Sequence, residues 1–246
     1  VPMPEVKEDL KSEPEPRTGQ PVGLKVADPS PAPRPGSVTL EGRFGRLEKM
    51  QASHAKPLWT YFEGQPQLWT YIGGFGPFDT YDDFAAHIER FSASPDPYVY
   101  VIVDKDKGPV GYFTLMEIRP AHRVIEVGHV MYSPALQKSP LATEVQYLLA
   151  KYIFETLGYR RYEWKCHALN AASRRAGQRL GFTYEGTFRQ YLIAKGRNRD
   201  NAWFSMLDSE WPIRKANFET WLSPGNFGVD GKPKQSLLAL NGGAKA

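Results

Sequence analysis

The sequence predicts an α/β (α+β) fold built on a mixed, mostly antiparallel sheet with helices on its faces. Three observations lead there. Three runs rich in β-branched and aromatic residues, 97–103, 110–118 and 124–131, follow one another with only short connections. The stretch 126–182 then reads as strand, loop, helix, strand, helix. Strands first, then helices interleaved with strands, give a mixed sheet with helical cover. No apolar run approaches the ~20 residues that a membrane-crossing helix needs.

Residues 1–36 contain nine prolines and many charges. Such a segment lacks backbone donors and apolar area, so it is expected to be a disordered tail. The domain is expected over 37–222, and 223–246, rich in Gly and Lys without a period, as a flexible C-terminal tail. Residues 38–50 alternate loosely (Val38, Leu40, Phe44, Leu47, Met50) and read as a first strand or hairpin. A short helix follows over 53–62 with Ser53 as its cap. Residues 68–78 form an aromatic loop with three glycines, and Trp69, Tyr71 and Phe78 stand in it. An aromatic cluster on such a loop either covers a core or lines a pocket. A helix over 80–91 repeats Tyr81, Phe84, Ile88 and Phe91, with Asp79 or Thr80 capping it.

The central helix carries Leu141, Val145, Leu148, Leu149, Tyr152 and Ile153 on one face and stops at Gly158, where a left-handed residue ends a helix. Residues 161–167 are the next strand, and Asn170 opens a second helix that ends at Gly181. Strands over 182–193 and 202–207 flank a turn at 195–200, and 212–222 is a terminal helix with proline in its first turn.

Gln137-Lys138-Ser139-Pro140-Leu141-Ala142, then Asn170-Ala171-Ala172-Ser173, then Arg179-Leu180-Gly181-Phe182 and Glu185-Gly186 occur in that order. Together they resemble the signature of the GNAT-family N-acetyltransferases, the ribosomal-protein (RimJ/RimL) type above all, over residues 38–222. The resemblance implies the GNAT acyl-CoA N-acyltransferase fold, acetyl-CoA as co-substrate, and transfer of an acetyl group to a primary amine by direct attack in a ternary complex. The acceptor would be a small molecule, an aminoacyl conjugate or a protein N-terminus. It implies that Gln137, Lys138, Ser139, Leu141, Ala142 and Thr143 hold the pyrophosphate, and that Val130, Met131, Tyr132 and Asn170 hold the pantetheine arm. It also implies that Ser173 lies near the sulfur and protonates the leaving thiolate, with Trp69, Tyr71, Phe78 and Tyr191 around the acceptor.

Two positions depart from the family pattern. Pro140 stands where glycine is usual and removes one N–H donor, although proline is well tolerated as a first helical residue behind Ser139. Leu192 stands where RimL-type enzymes carry a glutamate base. Glu126, on the strand beside the cofactor, is the replacement candidate, acting through water, with Tyr191 and Asp200 behind it. These departures keep open a non-catalytic acyl-CoA-binding module.

Residues 160–199 hold ten basic and two acidic side chains, which attract an anion. The phosphates of coenzyme A satisfy that excess, and so does nucleic acid, which keeps an RNA- or ribosome-associated role open. His129 and His167 have no metal-ligand spacing around them, and the single cysteine, Cys166, has no internal partner. With no secretory signal visible, a reducing, cytoplasmic setting is expected, with the protein a monomer or homodimer.

Overall fold

The computed structural model describes residues 10–243. Two short strands, β1 (Ser12–Pro14) and β2 (Pro21–Gly23), form an exposed ribbon of their own. The main sheet holds β3 (Leu40–Glu41), β4 (Gly45–Lys49), β5 (Tyr98–Asp104), β6 (Gly108–Arg119), β7 (Val124–Tyr132), β8 (Arg161–His167), β9 (Thr183–Ala194) and β10 (Arg197–Leu207). Their spatial order is β3-β4-β5-β6-β7-β8-β10-β9. Every neighbouring pair is antiparallel except β7 and β8. The mixed sheet expected from the sequence is therefore present.

Helices cover both faces. One face carries α1 (Ala55–Phe62) and α2 (Tyr81–Ala93); the other carries α3 (Pro140–Lys151), α4 (Ala171–Arg179), α5 (Trp211–Leu222) and the short α6 (Leu237–Leu240). Thr80 caps α2 by accepting the Asp83 N–H. The cap expected at Ser53 is displaced: Gln51 and His54 bracket a 3₁₀ turn that leads into α1. Leu141, Val145, Leu149 and Ile153 are buried against the sheet, and each such side chain contributes roughly 1.5–3 kcal/mol. After Lys151 the backbone widens into a π-helical turn, Tyr152–Thr156, before Gly158 ends it at φ 69°. The hairpin between β9 and β10 turns on Lys195 and Gly196, both left-handed, so β10 begins at Arg197 inside the turn expected over 195–200.

Both expected tails need correction where they are described; residues 1–9 and 244–246 lie outside the described residues. Residues 28–36 are tied to the body. Asp28 pairs with Arg123 at 2.6 Å, Ala32 is buried, and the Tyr100 hydroxyl donates to the Gly36 carbonyl. Residues 224–243 are not a loose tail either. Leu237 is fully buried, Phe227 lies edge-on to Trp221 and Phe44, and Asn241 donates to the Arg179 carbonyl. A Pro- and Gly-rich composition hides these few anchors, because each depends on one side chain rather than on a period.

Leu237→Ala should lower the melting temperature by about 4–15 °C, the effect of a cavity of ~2–5 kcal/mol in a domain of this size. Deleting residues 1–26 should change it by less than about 2 °C, whereas deleting 1–36 should cost clearly more, since only the longer deletion removes the Arg123, Ala32 and Gly36 contacts. Thermal melts of the three variants check both statements.

Candidate active site

At the centre of the sheet two strands part. β7 and β8 pair in parallel from Val124 and Arg161 to Val127 and Trp164. On the opposite edge of β7, Tyr112 pairs with Met131 but Thr114 pairs with Gly128, so Phe113 faces two residues, His129 and Val130. This is a β-bulge, which bends its strand and increases the local twist. His129 takes φ 43° within it. At Gly128 beside it a Cβ would meet the Met116 sulfur, so any side chain there would have to displace the Met116 side chain. Beyond the bulge, residues 128–132 have no strand partner toward β8. An unpaired edge offers N–H and C=O groups to an extended ligand. A cavity of about 1830 Å³ lies along this gap and is lined by residues from both faces of the sheet.

The half of the cavity under α3 and α4 is rich in donors. The Ser139 hydroxyl accepts the Ala142 N–H at 3.2 Å and donates to the Leu136 carbonyl. Ala142 thus has its N–H taken and cannot give it to a pyrophosphate, the role the resemblance implies for it. The Leu141 N–H meets no acceptor among the described residues, while its side chain is buried in the core. Lys138 adopts φ 60° and, with Thr143, lines the cavity. Gln137 donates to the Tyr132 carbonyl and so braces the loop against the end of β7. The Tyr132 hydroxyl in turn donates to the Ala142 carbonyl.

Two polar groups here meet no counterpart. Gln146 is 3 % exposed, and its Nε2 bonds the Tyr132 hydroxyl while its Oε1 has no partner. Arg179 donates to the Thr143 hydroxyl and lies over the Trp221 ring, with no carboxylate beside it, and burial holds its pKa below the ordinary arginine value. Trp221, Lys232, Ser236 and Asn241 of the C-terminal part wall the same space. An anionic ligand fits this donor set: an uncompensated cation, free N–H groups and a helix N-terminus.

Asn170 caps α4 by accepting the Ser173 N–H at 3.1 Å. The Ser173 hydroxyl accepts the Trp164 indole N–H at 3.1 Å, which leaves its own proton to donate elsewhere. Cys166 lies beside it, and burial pushes that thiol up.

The other half lies under the loop that follows α1. Tyr71 and Tyr191 line it. Trp69 and Phe78 do not. Trp69 is 2 % exposed and packs with Phe78, Phe84 and His87 in the core beneath α1 and α2. Alternate residues of one aromatic loop go to different places, and composition cannot separate them. The loop is fastened by two cations: Lys195 donates to the Trp69 carbonyl at 2.8 Å and Arg199 to the Tyr71 carbonyl at 3.1 Å.

Glu126 stands in this half, 6 % exposed. Its Oε2 lies 2.9 Å from the Lys165 ammonium, which also reaches Glu163 at 3.0 Å. Burial pushes Glu126 up to about 7 against the pull of Lys165, and Glu163 and Glu117 add to the rise. Burial also opposes the charge on Glu163, but Arg161, Lys165 and Arg119 outweigh it and hold that carboxyl below the ordinary range. Glu185, of the Glu-Gly pair, is gripped by Arg161 through two bonds of 2.7 and 2.6 Å. Asp200 accepts from Gln190 and Asn198 rather than pairing with an arginine. His129 bonds Thr114 at 3.3 Å, and burial lowers its pKa to about 4, so it is neutral near pH 7.

Sequence reasoning missed Gln146, Lys165, Arg179 and Arg199 as site residues, and it missed the bulge. Gly128 inside a strand was the available signal for the bulge. The basic block 160–199 does not form one charged surface: Arg161 and Lys165 are neutralised by glutamates, and Arg179 and Arg199 turn into the cavity. No described helix is long and apolar enough to cross a membrane, and no cluster of three His, Cys, Asp or Glu side chains among the described residues could hold a metal ion.

Comparison with known proteins gives these features a family. Residues 46–183 match the profile described as "Acetyltransferase (GNAT) domain". The chain is similar to a GCN5-related N-acetyltransferase from Brucella melitensis, with 41 % identity over 87 % of this chain and 98 % of that one and a TM-score of 0.83. It is also similar to a probable GNAT acetyltransferase from Chromobacterium violaceum, with 39 % identity over 78 % of this chain and 98 % of that one and a TM-score of 0.73. With the ribosomal-protein-S5-alanine acetyltransferase from Vibrio fischeri it shares the fold, at 19 % identity over 71 % of this chain and 98 % of that one and a TM-score of 0.58. No curated protein matches it. More than half of the chain matches the family profile, and the likeness to the Brucella protein covers 87 % of the chain; with its parted strands and capped loop, the chain belongs to the GNAT acetyltransferases.

Proposed function

We propose that this protein is an acetyl-CoA-dependent N-acetyltransferase of the RimJ/RimL type, with a weakly basic primary amine as acceptor and Glu126 as general base. Family membership makes it an acyltransferase that draws on acyl-CoA. One observation carries the finer reading: a single cavity joins the donor-rich start of α3 to the buried carboxylate of Glu126 through the gap between β7 and β8.

Acetyl-CoA supplies a thioester carbonyl that an amine can attack. Lys138, Thr143, Arg179 and the Leu141 N–H suit its pyrophosphate, while Ser139, its own donors spent on the Leu136 carbonyl, holds the loop in shape. The β7 backbone at Val130, Met131 and Tyr132, with the free amide N–H₂ of Asn170, suits the pantetheine arm. A backbone N–H in the bulge then faces the thioester oxygen, where charge develops. Glu126 takes the amine proton through water. Its value near 7 puts it at the optimum for a base working at neutral pH, whereas His129 at about 4 is far too weak. Ser173 gives its proton to the leaving thiolate.

The acceptor class follows from the base. An α-amine with a reference pKa of ~7.7–8.0 costs only about 1 kcal/mol to neutralise at pH 7, while a lysine amine at ~10.4 costs nearly 5 kcal/mol. One buried carboxylate already leaning on Lys165 supports the first. Neutralisation of Arg161 and Lys165 within the body argues against the RNA-binding alternative.

Calorimetry should show saturable acetyl-CoA binding that weakens as salt rises. Glu126→Gln should lower kcat/KM by roughly 10²–10⁴-fold. In the wild type, kcat/KM expressed per neutral amine should climb with pH and level off above about 7, because the base acts only when ionised; the substitution should erase that limb. Ser173→Ala should lower kcat by roughly 10²-fold with KM for acetyl-CoA little changed, the pattern of an interaction made only in the transition state. Steady-state kinetics across pH 5–9 check both substitutions.

A further inference from the structure

The acceptor half of the cavity contains a cation that makes no ion pair among the described residues. Arg199 sits at a register shift of β10, half-buried, with its guanidinium against Gly73 of the loop after α1. Its Nε donates to Asn201 Oδ1 at 2.7 Å and one Nη1 hydrogen goes to the Tyr71 carbonyl. A guanidinium has five N–H groups, so three remain. The acids on this side are committed elsewhere or lie apart: Glu126 and Glu163 hold Lys165, Asp200 holds Gln190 and Asn198, and Glu117 lines the cavity without pairing to Arg199. Asn201 and a backbone carbonyl orient the guanidinium but do not neutralise it. Burial depresses its pKa, although Cys166 and Glu126 pull the other way without bonding to it, and its field reaches His129. A charged group held rigid, partly desolvated and unpaired is arranged for a charge that arrives with a ligand.

That ligand is not the cofactor phosphate. Arg199 lies on the face of α1 and α2, fastened to the acceptor loop, whereas Arg179, Lys138 and the α3 start lie on the opposite face. We infer that Arg199 determines acceptor specificity, and that the acceptor amine carries an oxyanion, a carboxylate or a phosphate, which this guanidinium receives while the amine faces Glu126. The inference rests on the acetyltransferase reading. It narrows the acceptor to amino acids and aminoalkyl phosphates or conjugates that retain such a group near the amine. Tyr71, Ile72 and Leu68 give the same side an apolar wall, which favours a probe with an apolar side chain.

The test compares wild type, Arg199→Gln and Arg199→Lys. Phenylalanine is set against phenylalaninamide, and 2-aminoethyl phosphate against ethanolamine, each pair at equal concentration of neutral amine; the second pair separates phosphate from carboxylate. In the wild type the anionic member of at least one pair should have a kcat/KM roughly 10–100-fold higher, the scale of a charge-assisted hydrogen bond. Arg199→Gln should bring that ratio near one and leave KM for acetyl-CoA within about twofold, while Arg199→Lys restores part of the ratio because the charge remains without the fork. Calorimetry on CoA-saturated protein, with N-acetylphenylalanine and its amide, gives a readout free of turnover, and Arg199-dependent preference for the acid supports the inference even if no amine in the panel is acetylated. Neutral amines used as well as anionic ones in the wild type, a preference that survives in Arg199→Gln, or no binding of either N-acetyl compound alongside no turnover would each overturn it. Failure of acetyl-CoA itself to bind would instead strike the underlying function, so the two failures are distinct.

Discussion

The site exists because β7 and β8 cannot stay together. They run parallel, and a parallel pair needs a crossover, here α3, between its strands. The bulge at His129 and Val130 turns β7 away after four paired positions. Everything functional follows from that divergence. It leaves a row of backbone groups unpaired, and it opens a passage between the two faces of the sheet. It also brings the starts of α3 and α4 to one side of the passage and Glu126 to the other. A sheet that zipped fully would bury its hydrogen bonds well and bind nothing.

Holding a carboxylate inside that passage sets a second constraint. An isolated buried charge costs several kcal/mol, and a lone counter-ion beside it would fix it as a spectator. The arrangement here is intermediate. Lys165 is shared between Glu126 and Glu163, and Arg161 and Arg119 satisfy Glu163 so completely that Glu126 receives only part of one ammonium. Glu126 therefore stays close to its titration point, while Glu163 stays charged. Two carboxylates in register on adjacent strands have different chemistry because their neighbours divide the cations unequally.

The strands and main helices were legible because they repeat: the face of α3 from Leu141 to Ile153, the stop at Gly158 and the run 161–167 all carry a period. The order of the loop, Asn170, Ser173 and the Arg-Leu-Gly-Phe segment was legible as well, since those residues are close in sequence. What stayed hidden is non-local. The bulge involves the pairing of Phe113 with two residues of another strand. The fate of Trp69 depends on α2, more than ten residues later, and Arg179 was visible as a motif letter but not as an unpaired cation. The buried Leu237 stands in a segment whose composition argued for disorder, because one well-placed leucine leaves no pattern.

The ties from Lys195 and Arg199 to the carbonyls of Trp69 and Tyr71 connect residues 126 and 128 positions apart, and they contact backbone rather than side chains. Bonds of this kind are indifferent to which residues the loop carries. Side chains at Tyr71 and its neighbours can therefore be rewritten during divergence or redesign while the wall keeps its position. The converse does not hold: grafting a relative's loop without the matching hairpin would leave the new loop unmoored. The half under the loop after α1 is thus a two-piece module, set apart from the donor-rich half under α3 and α4.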